Sequence, residues 1–192
     1  MPPAPRPDGL IDVTIVDLEL TRAPAWPHNP APVGPRLALF RARKPPLHYY
    51  RYLYDAVGRP WLWLDRKRMD DEQLTAIVHD DAVEISVLHC DGAPAGFVEL
   101  DYRGLPDAVN ISYFGLVPER FGLGLGRYFL RSAIDEAWRR GPAKITVNTC
   151  TLDHPGALPL YQKSGFVPVG TRTIAFDPRL PAAPPVSAAG SG

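Results

Sequence analysis

One short segment, residues 115–130, limits most strongly what this chain can fold into. A predicted strand ends at Pro118, glycines alternate at Gly122, Gly124 and Gly126, and a helical pattern follows at once. Because glycine has no Cβ, such a backbone can approach a ligand closely. Free amides at the start of a helix also attract anions. The segment therefore predicts a strand, a turn and a helix that together bind a phosphate-bearing ligand, and pyrophosphate is the natural candidate.

Two common phosphate-binding turns do not fit this segment. A P-loop requires Gly-Lys followed by Ser or Thr, but Gly126 is followed by Arg127 and Tyr128. A Rossmann turn requires a third glycine three positions after the second, and Arg127 stands there. The strands upstream of the turn also look antiparallel, whereas the Rossmann sheet is mostly parallel. A coenzyme A turn is the remaining candidate.

Hydrophobic periodicity along the rest of the chain predicts strands and helices in alternation. Strands are predicted at residues 11–20, 36–43, 82–90, 94–103, 109–117 and 144–150. Helices are predicted at residues 47–58, 70–80, 125–140 and 156–166, and a closing hairpin at 166–176. Short turns join the three middle strands into an antiparallel meander. This order predicts an α+β domain with a mostly antiparallel sheet.

Proline marks the two ends of the predicted domain. Of the 23 prolines, 15 lie within residues 1–46 or 177–192. Residues 1–9 and 177–192 also lack a periodic apolar pattern, which is typical of disordered segments. We therefore expect one domain over residues 10–176, between disordered ends at 1–9 and 177–192.

Charge and composition disfavour several kinds of partner. With 21 basic and 21 acidic residues the net charge is +0, so no basic surplus favours nucleic acid or acidic membranes. Cys90 and Cys150 are too few for a disulfide framework or a four-cysteine zinc site. The N-terminus has no apolar signal-peptide core, and no run is long enough to span a membrane. We expect a cytoplasmic protein that binds no nucleic acid, no membrane and no metal.

Two sequence blocks resemble the GNAT superfamily of N-acetyltransferases. Phe121 to Gly126 is similar to the family turn Arg/Gln-x-x-Gly-x-Gly/Ala. His154 to Phe166 is similar to the family block Asn-x-x-Ala-x-x-Leu-Tyr-x-Lys-x-Gly-Phe. Both blocks stand in the family's usual order and spacing, and the resemblance covers roughly residues 83–176.

The resemblance implies a GNAT-like acyl-CoA N-acyltransferase fold, a mostly antiparallel, splayed central sheet flanked by helices. Strands 109–117 and 144–150 would separate to admit the pantetheine arm, and a bulge near residues 115–117 would present backbone groups to it. Acetyl-CoA would be the co-substrate and a primary amine, on a small molecule or a peptide, the acceptor. Transfer would be direct, within a ternary complex. Many relatives dimerise, so a homodimer is possible.

The resemblance also implies which residues form the site. Tyr161 would lie beside the coenzyme sulfur and protonate the departing thiolate. The coenzyme would contact Leu116, Val117, Phe121, Gly122, Leu123, Gly124, Leu125, Gly126, Arg127, His154 and Tyr161. The general base is left open: Glu99 is a candidate if burial raises its pKa towards the operating pH.

Three positions depart from the family pattern. Phe121 replaces the Arg or Gln of the turn, and His154 replaces the Asn of the second block. Asn110 stands where the histone-acetyltransferase branch has a glutamate base. These departures motivate an alternative, a catalytically silent acyl-CoA-binding module that senses a metabolite or scaffolds a partner. A covalent acyl-enzyme on Cys150 is a further possibility within the enzyme hypothesis.

Overall fold

The computed structural model describes residues 5–26 and 29–179 and gives seven strands and four α-helices. The strands are β1 (Ile11–Leu20), β2 (Leu37–Ala42), β3 (Val83–Cys90), β4 (Ala93–Asp101), β5 (Ala108–Leu116), β6 (Lys144–Cys150) and β7 (Val167–Phe176). The helices are α1 (Leu47–Gly58), α2 (Asp71–Val78), α3 (Leu125–Trp138) and α4 (Ala157–Lys163). Short 3₁₀ turns follow α1 and β5, at Arg59–Trp61 and Pro118–Arg120.

The strands form a single sheet in the order β2-β3-β4-β5-β6-β1-β7. Strands β5 and β6 pair in parallel, and every other neighbouring pair is antiparallel. The predicted α+β class and the antiparallel meander of β3, β4 and β5 are confirmed.

Helices cover both faces of the sheet. Helix α3 buries Phe129, Leu130 and Ile134 against one face, together with Leu100 and Ile145 from the strands. Helices α1 and α2 cover the other face with a separate core of Tyr50, Leu53, Tyr54, Val57, Leu74 and Val78 against Ile85, Val87 and Phe97. The sheet is therefore buried on both sides over its central strands.

Local chemistry explains where the helices begin. Asp70 accepts a hydrogen bond from the Gln73 amide, and the Gln73 side chain accepts one from the Asp70 amide, which makes a capping box for α2. Helix α3 begins differently, after Gly124 in the left-handed conformation and with no side chain capping its first amides.

The two central strands separate, as the resemblance implied. Pairing between β5 and β6 joins only Ala108–Ile111 to Lys144–Val147. Beyond Ile111 and Val147 each strand continues without its partner, to Leu116 and to Cys150. The gap between them opens a V-shaped space inside the sheet.

The predicted bulge near residues 115–117 is wrong in position. The pairing of β4 with β5 shifts between Glu99 and Leu100, which leaves Ser112 as the extra residue. Pairing stays regular at Leu116, opposite Gly96. Because Gly96 lacks a side chain, the Gly115 carbonyl approaches so closely that a Cβ on Gly96 would lie 2.3 Å from it. Near residues 115–117, β5 therefore lies unusually close to β4 at Gly96 and does not bulge away from it.

The predicted closing hairpin at residues 166–176 is also wrong. Residues Val167–Phe176 form one strand that pairs along β1, with an irregularity opposite Asp17 and Leu18. Gly170, which suggested a turn, lies at this irregularity, where glycine often marks a bulge. Strand β1 therefore lies inside the sheet, between β6 and β7.

The described residues include part of each predicted disordered end. Near the start, the Gly9 amide donates to the Arg6 carbonyl in a turn. Near the other end, Arg68 donates to the Asp177 and Arg179 carbonyls. The rest of those ends, residues 1–4 and 180–192, lies outside the described residues, and the domain boundaries stay a prediction.

Candidate active site

A cleft of about 490 Å³ lies where β5 and β6 separate. Its walls come from both faces of the sheet. Leu116 and Tyr161 belong to the core under α3, whereas Tyr54, Trp63 and Tyr113 belong to or pack on the core under α1. The cleft therefore reaches through the sheet, so two ligands could approach each other from opposite faces.

The glycine turn forms one end of this cleft. Gly122 and Gly124 both have positive φ, 78° and 73°, a conformation that other residues adopt only at a cost. Helix α3 begins immediately afterwards, and no side chain caps its first amides. Arg120 and Arg127 also line the cleft. Uncapped amides at a helix N-terminus attract anions, and the two arginines add positive charge to the same cleft, although Arg120 also lies 3.9 Å from Asp91.

Three aromatic rings meet across the cleft beside this turn. The His154 ring lies 5.3 Å from Trp61 and 5.0 Å from Phe121, measured between ring centroids, and both contacts are edge-on. Trp61 and Phe121 are 6.4 Å apart. Phe121 and His154 are the two positions of the cleft that depart from the family pattern. Their contact joins the glycine turn to the loop before α4 through aromatic packing.

His154 also makes a hydrogen bond to the backbone of its own turn. Its Nδ1 accepts a hydrogen bond from the Gly156 amide at 2.9 Å. An asparagine side-chain oxygen commonly makes the same contact to the amide two residues further on. The Nδ1 atom therefore stabilises the turn before α4, and the Nε2 atom is the ring nitrogen that remains for a ligand.

Tyr161 lies in the middle of the cleft wall, on α4. Its ring packs edge-on against Phe114 and Phe166, at 6.3 and 5.8 Å, and its side chain is buried. Burial, with a smaller contribution from the nearby Asp153, raises the pKa of the Tyr161 phenol above its usual value. The hydroxyl is therefore protonated at neutral pH, as an ordinary phenol is, and its raised pKa makes it a weaker acid than an exposed tyrosine.

Cys150 faces the same cleft from the end of β6. Burial, followed by the charge of Asp153, raises the pKa of its thiol to about 11. A thiol with that pKa is almost entirely protonated at neutral pH, and the thiolate is the nucleophilic form. The environment therefore disfavours an acyl-cysteine intermediate.

Most of the predicted coenzyme contacts line the cleft. They are Leu116, Phe121, Gly122, Gly124, Leu125, Gly126, Arg127, His154 and Tyr161. Val117 and Leu123 do not. The Val117 amide donates to Ala95 and its carbonyl accepts from Arg120, so both of its backbone groups are engaged. Leu123 is exposed beside the turn. The coenzyme roles of all these residues stay predictions.

Glu99 lies elsewhere. It is fully buried under α1, where Tyr50 donates to one carboxylate oxygen at 2.6 Å and Arg66 to the other at 2.6 Å. It is not among the residues that line the cleft. Arg66 also stacks over Tyr113, 5.1 Å from the ring centre. The geometry thus favours a structural task for Glu99, the anchoring of the segment after α1 that carries Trp61 and Trp63 to the cleft.

Sequence reasoning missed several residues of the site, above all Asp153. One of its oxygens accepts from Thr149 Oγ1 and from the Cys150 amide, both at 2.9 Å. The other accepts from Trp63 Nε1 at 3.3 Å. Asp153 directly precedes the second family block, and that adjacency is the one signal that could have found it. Val13 and Ile15 of β1 also line the cleft, although no family block reaches them.

Within residues 5–26 and 29–179, no group of three or more His, Cys, Asp or Glu side chains could hold a metal ion. No helix in that part of the chain is long and apolar enough to cross a membrane.

Solved structures with the same fold share little sequence with this chain. An aminoglycoside N-acetyltransferase, AAC(6')-Iy in complex with CoA, is 20% identical to this chain, with a TM-score of 0.50. The similarity covers 71% of this chain and 91% of that protein. A Novosphingobium aromaticivorans protein assigned to the GNAT family is 16% identical, with a TM-score of 0.57. The similarity covers 91% of this chain and 69% of that protein. A functionally unknown Staphylococcus epidermidis protein is 14% identical with a TM-score of 0.54, covering 86% of this chain. The present chain spans only 62% of that protein's length.

Comparison at the sequence level is more specific. No curated protein matches the chain. The Acetyltransferase (GNAT) family matches residues 49–166, which is more than half of the chain. The matched segment contains the glycine turn, Tyr161 and the separated part of β5 and β6. On this match, and with the splayed sheet and its glycine turn in agreement, the protein belongs to the GNAT family of acetyltransferases.

Proposed function

We propose that this protein is an N-acetyltransferase that transfers the acetyl group of acetyl-CoA to a primary amine. One observation carries the proposal. The glycine turn and Tyr161 belong to separate sequence blocks, yet both line one cleft between the separated strands. An anion site at one end and a protonated phenol further along are the two groups that such a transfer requires of the protein.

The residues present fit coenzyme A. The uncapped amides of Leu125, Gly126 and Arg127 at the start of α3 would hold the pyrophosphate, with the Arg120 guanidinium beside them. The apolar walls between Leu116 and Leu160 suit the pantetheine arm. The ring of Phe121 gives this chain an apolar contact where the family pattern has a polar side chain.

Tyr161 would act as the general acid. When bound, acetyl-CoA supplies a thioester: the amine nitrogen bonds to the acetyl carbon, the carbon–sulfur bond breaks, the amine loses a proton and coenzyme A leaves as a thiol. Tyr161 would donate a proton to the departing sulfur and regain one from water, because a phenol is neutral at pH 7 even at its ordinary pKa of about 10. Its packing against Phe114 and Phe166 fixes the direction of the hydroxyl.

We do not retain Glu99 as the base in this proposal. Its carboxylate is bonded to Tyr50 and Arg66 and does not line the cleft. The amine is proposed to react as the free base and to lose its proton to water. The rate should then rise with pH until the amine itself is deprotonated, with no requirement for a carboxylate of low pKa.

Turnover is the experiment that tests this proposal. Release of free thiol from acetyl-CoA should require both the protein and an amine, and mass spectrometry should find the product amine heavier by one acetyl group. Binding of acetyl-CoA with no turnover across a broad amine and peptide library would favour the silent binding module instead. Absence of acetyl-CoA binding at millimolar concentration would contradict both.

A further inference from the structure

The two ends of the cleft differ in polarity. Arg120 and Arg127 lie at the glycine turn. At the other end the walls are apolar: Val13 and Leu152 are buried, and Leu62 and Phe176 pack against them. Val13 and Phe176 come from β1 and β7, which lie beyond the family match at residues 49–166, whereas Leu62 and Leu152 lie within it.

Aromatic side chains form one side of this end. Tyr54, Trp63 and Tyr113 contact one another, with ring centroids 5.0 to 5.5 Å apart. Arg66 lies over Tyr113 and is held by the buried Glu99. These contacts hold the three rings in place before any ligand arrives. The ring planes are inclined by 50° to 76° to one another, so they form a preorganised aromatic corner, which favours an apolar, aromatic ligand.

Two carboxylates lie at this end, and one of them, Asp153, is held in place by hydrogen bonds. Asp65 and Asp153 line the cleft, and neither takes part in an ion pair among the residues the structure describes. Three donors orient Asp153: Thr149, the Cys150 amide and Trp63. An oriented carboxylate without a basic partner is complementary to one ammonium group.

We propose that the acceptor is a small primary monoamine carried on an apolar, aromatic body. The ring would lie between Trp63 and Phe176, and its amine would be directed by Asp153. This inference rests on the proposed acetyl transfer and names its substrate class. A polycationic aminosugar fits poorly, because its additional ammonium and hydroxyl groups would face apolar walls without partners. Asp153 would bind the ammonium form of the amine and take no proton itself. The bound amine would lose one proton to water before its nitrogen attacks the thioester.

Binding and turnover together test the proposal. The protein saturated with coenzyme A is titrated with 2-phenylethylamine, sisomicin and spermidine, and tryptophan fluorescence reports binding because Trp63 lines the site. We expect 2-phenylethylamine to bind at least about tenfold more tightly than the two polyamines, a difference of about 1.4 kcal/mol. Its kcat/KM with acetyl-CoA should exceed theirs by a similar factor.

A variant of Asp153 distinguishes recognition of the amine's charge from recognition of its aromatic body. Asp153→Asn should weaken 2-phenylethylamine about tenfold, because one charged hydrogen bond is lost, and leave the affinity for neutral 2-phenylethanol unchanged. Asp81→Asn, at an exposed carboxylate outside the cleft, is the matched control and should change neither affinity. Because Asp153 also holds the β6–α4 turn, circular dichroism and coenzyme A affinity check that the variant is folded. Ile174→Asn, which makes the apolar wall polar without adding a charge that would attract the amine, should also weaken binding of the aromatic amine.

Three results would overturn the inference while leaving the acetyltransferase proposal intact. They are a preference for sisomicin or spermidine over 2-phenylethylamine, acetylation of peptides alone, and an Asp153→Asn variant that weakens 2-phenylethanol as much as the amine. Failure of acetyl-CoA to bind, or of any amine to react, would instead contradict the proposed function.

Discussion

Tyr161 is the residue on which the proposed chemistry depends most. Replacing it with phenylalanine keeps the ring packed between Phe114 and Phe166 and removes only the hydroxyl. We expect Tyr161→Phe to bind acetyl-CoA as wild type does and to lose kcat by roughly 10²-fold or more, the usual contribution of a positioned acid. Steady-state kinetics and calorimetry measure the two effects. Equal losses in affinity and kcat would indicate packing rather than proton donation.

Burial of Tyr161 also makes a prediction about pH. Because its pKa lies above the ordinary phenol value, the donor form persists as pH rises past the point where an exposed tyrosine ionises. The kcat of the wild type should therefore not fall at moderately alkaline pH through ionisation of Tyr161. Its pH profile in that range should have the same shape as that of Tyr161→Phe. A fall present only in the wild type would place the pKa of Tyr161 lower than its burial implies.

Cys150 separates direct transfer from a covalent route. Its thiol, with a pKa of about 11, is protonated at neutral pH and is a weak nucleophile. We expect Cys150→Ser to keep nearly the full kcat, and intact-mass spectrometry of the wild type with acetyl-CoA alone to show no acetyl adduct. A stoichiometric adduct that Cys150→Ser abolishes would demonstrate an acyl-enzyme.

The buried pair of Glu99 and Arg66 holds the segment between α1 and α2 onto the sheet. Glu99→Leu leaves Arg66 buried without its partner, and loss of one partner of such a pair costs about 3–5 kcal/mol of folding free energy. Adding Arg66→Met should recover most of that loss, because apolar residues often replace a buried pair well. Urea denaturation measures both variants.

An exposed pair provides the control for this cycle. Lys44 and Asp81 form an ion pair whose side chains are 58% and 90% exposed, so Asp81→Leu should leave stability nearly unchanged. A double variant at Glu99 and Arg66 whose loss equals the sum of two separate losses would show that the two side chains do not act as a pair.

At the scale of elements, β1 is predicted as a strand, but its position inside the sheet is not. It lies between β6 and β7 and pairs with both, so it completes the half of the sheet that carries the end of β6. Its inner residues Val13 and Leu18 are buried, and Val13 also lines the cleft. The family match begins at residue 49 and does not include this strand.

Truncation tests the importance of β1. Removal of residues 1–20 deletes an interior strand, strips both neighbours of their hydrogen bonds and exposes the core under it. We expect that variant to show no cooperative thermal transition by circular dichroism. Removal of residues 1–9 leaves the strand in place and should preserve the transition. A folded 21–192 variant with unchanged melting temperature would contradict the pairing of β1.

At the scale of the whole molecule, the sequence predicts the individual strands and helices better than it predicts which strands pair in the sheet. The alternation in residues 11–20 correctly indicates a strand, but period two carries no information about which strands lie beside it. The glycine turn and α3 are predictable because local chemistry dictates them: two glycines with positive φ followed by an amphipathic helix. The turn at Gly170 is mispredicted because a glycine in a strand pattern suits a turn or a bulge equally well.

The residues of the candidate site likewise fall into those that a local sequence motif predicts and those that only the folded structure brings together. Tyr161, His154 and the glycine turn lie within motifs and could be found from the sequence. The contact of Trp63 with Asp153 joins residues 90 positions apart, and no local pattern predicts it. Glu99 shows the converse: its place in the sequence made it a candidate base, but its carboxylate is buried under α1, bonded to Tyr50 and Arg66, and does not line the cleft.

Calorimetric titration with acetyl-CoA tests the central claim most directly, in wild type, Gly124→Ala and Gly141→Ala. Both glycines have positive φ, 73° and 65°, so alanine costs roughly 1–2 kcal/mol of stability at either position. Only Gly124 lies in the cleft, whereas Gly141 follows α3 at its far end. We expect wild type and Gly141→Ala to bind with equal Kd, within roughly 1 µM to 1 mM, and Gly124→Ala to bind at least about tenfold more weakly. No binding by the wild type, or equal weakening in both variants, would contradict a coenzyme site at the glycine turn.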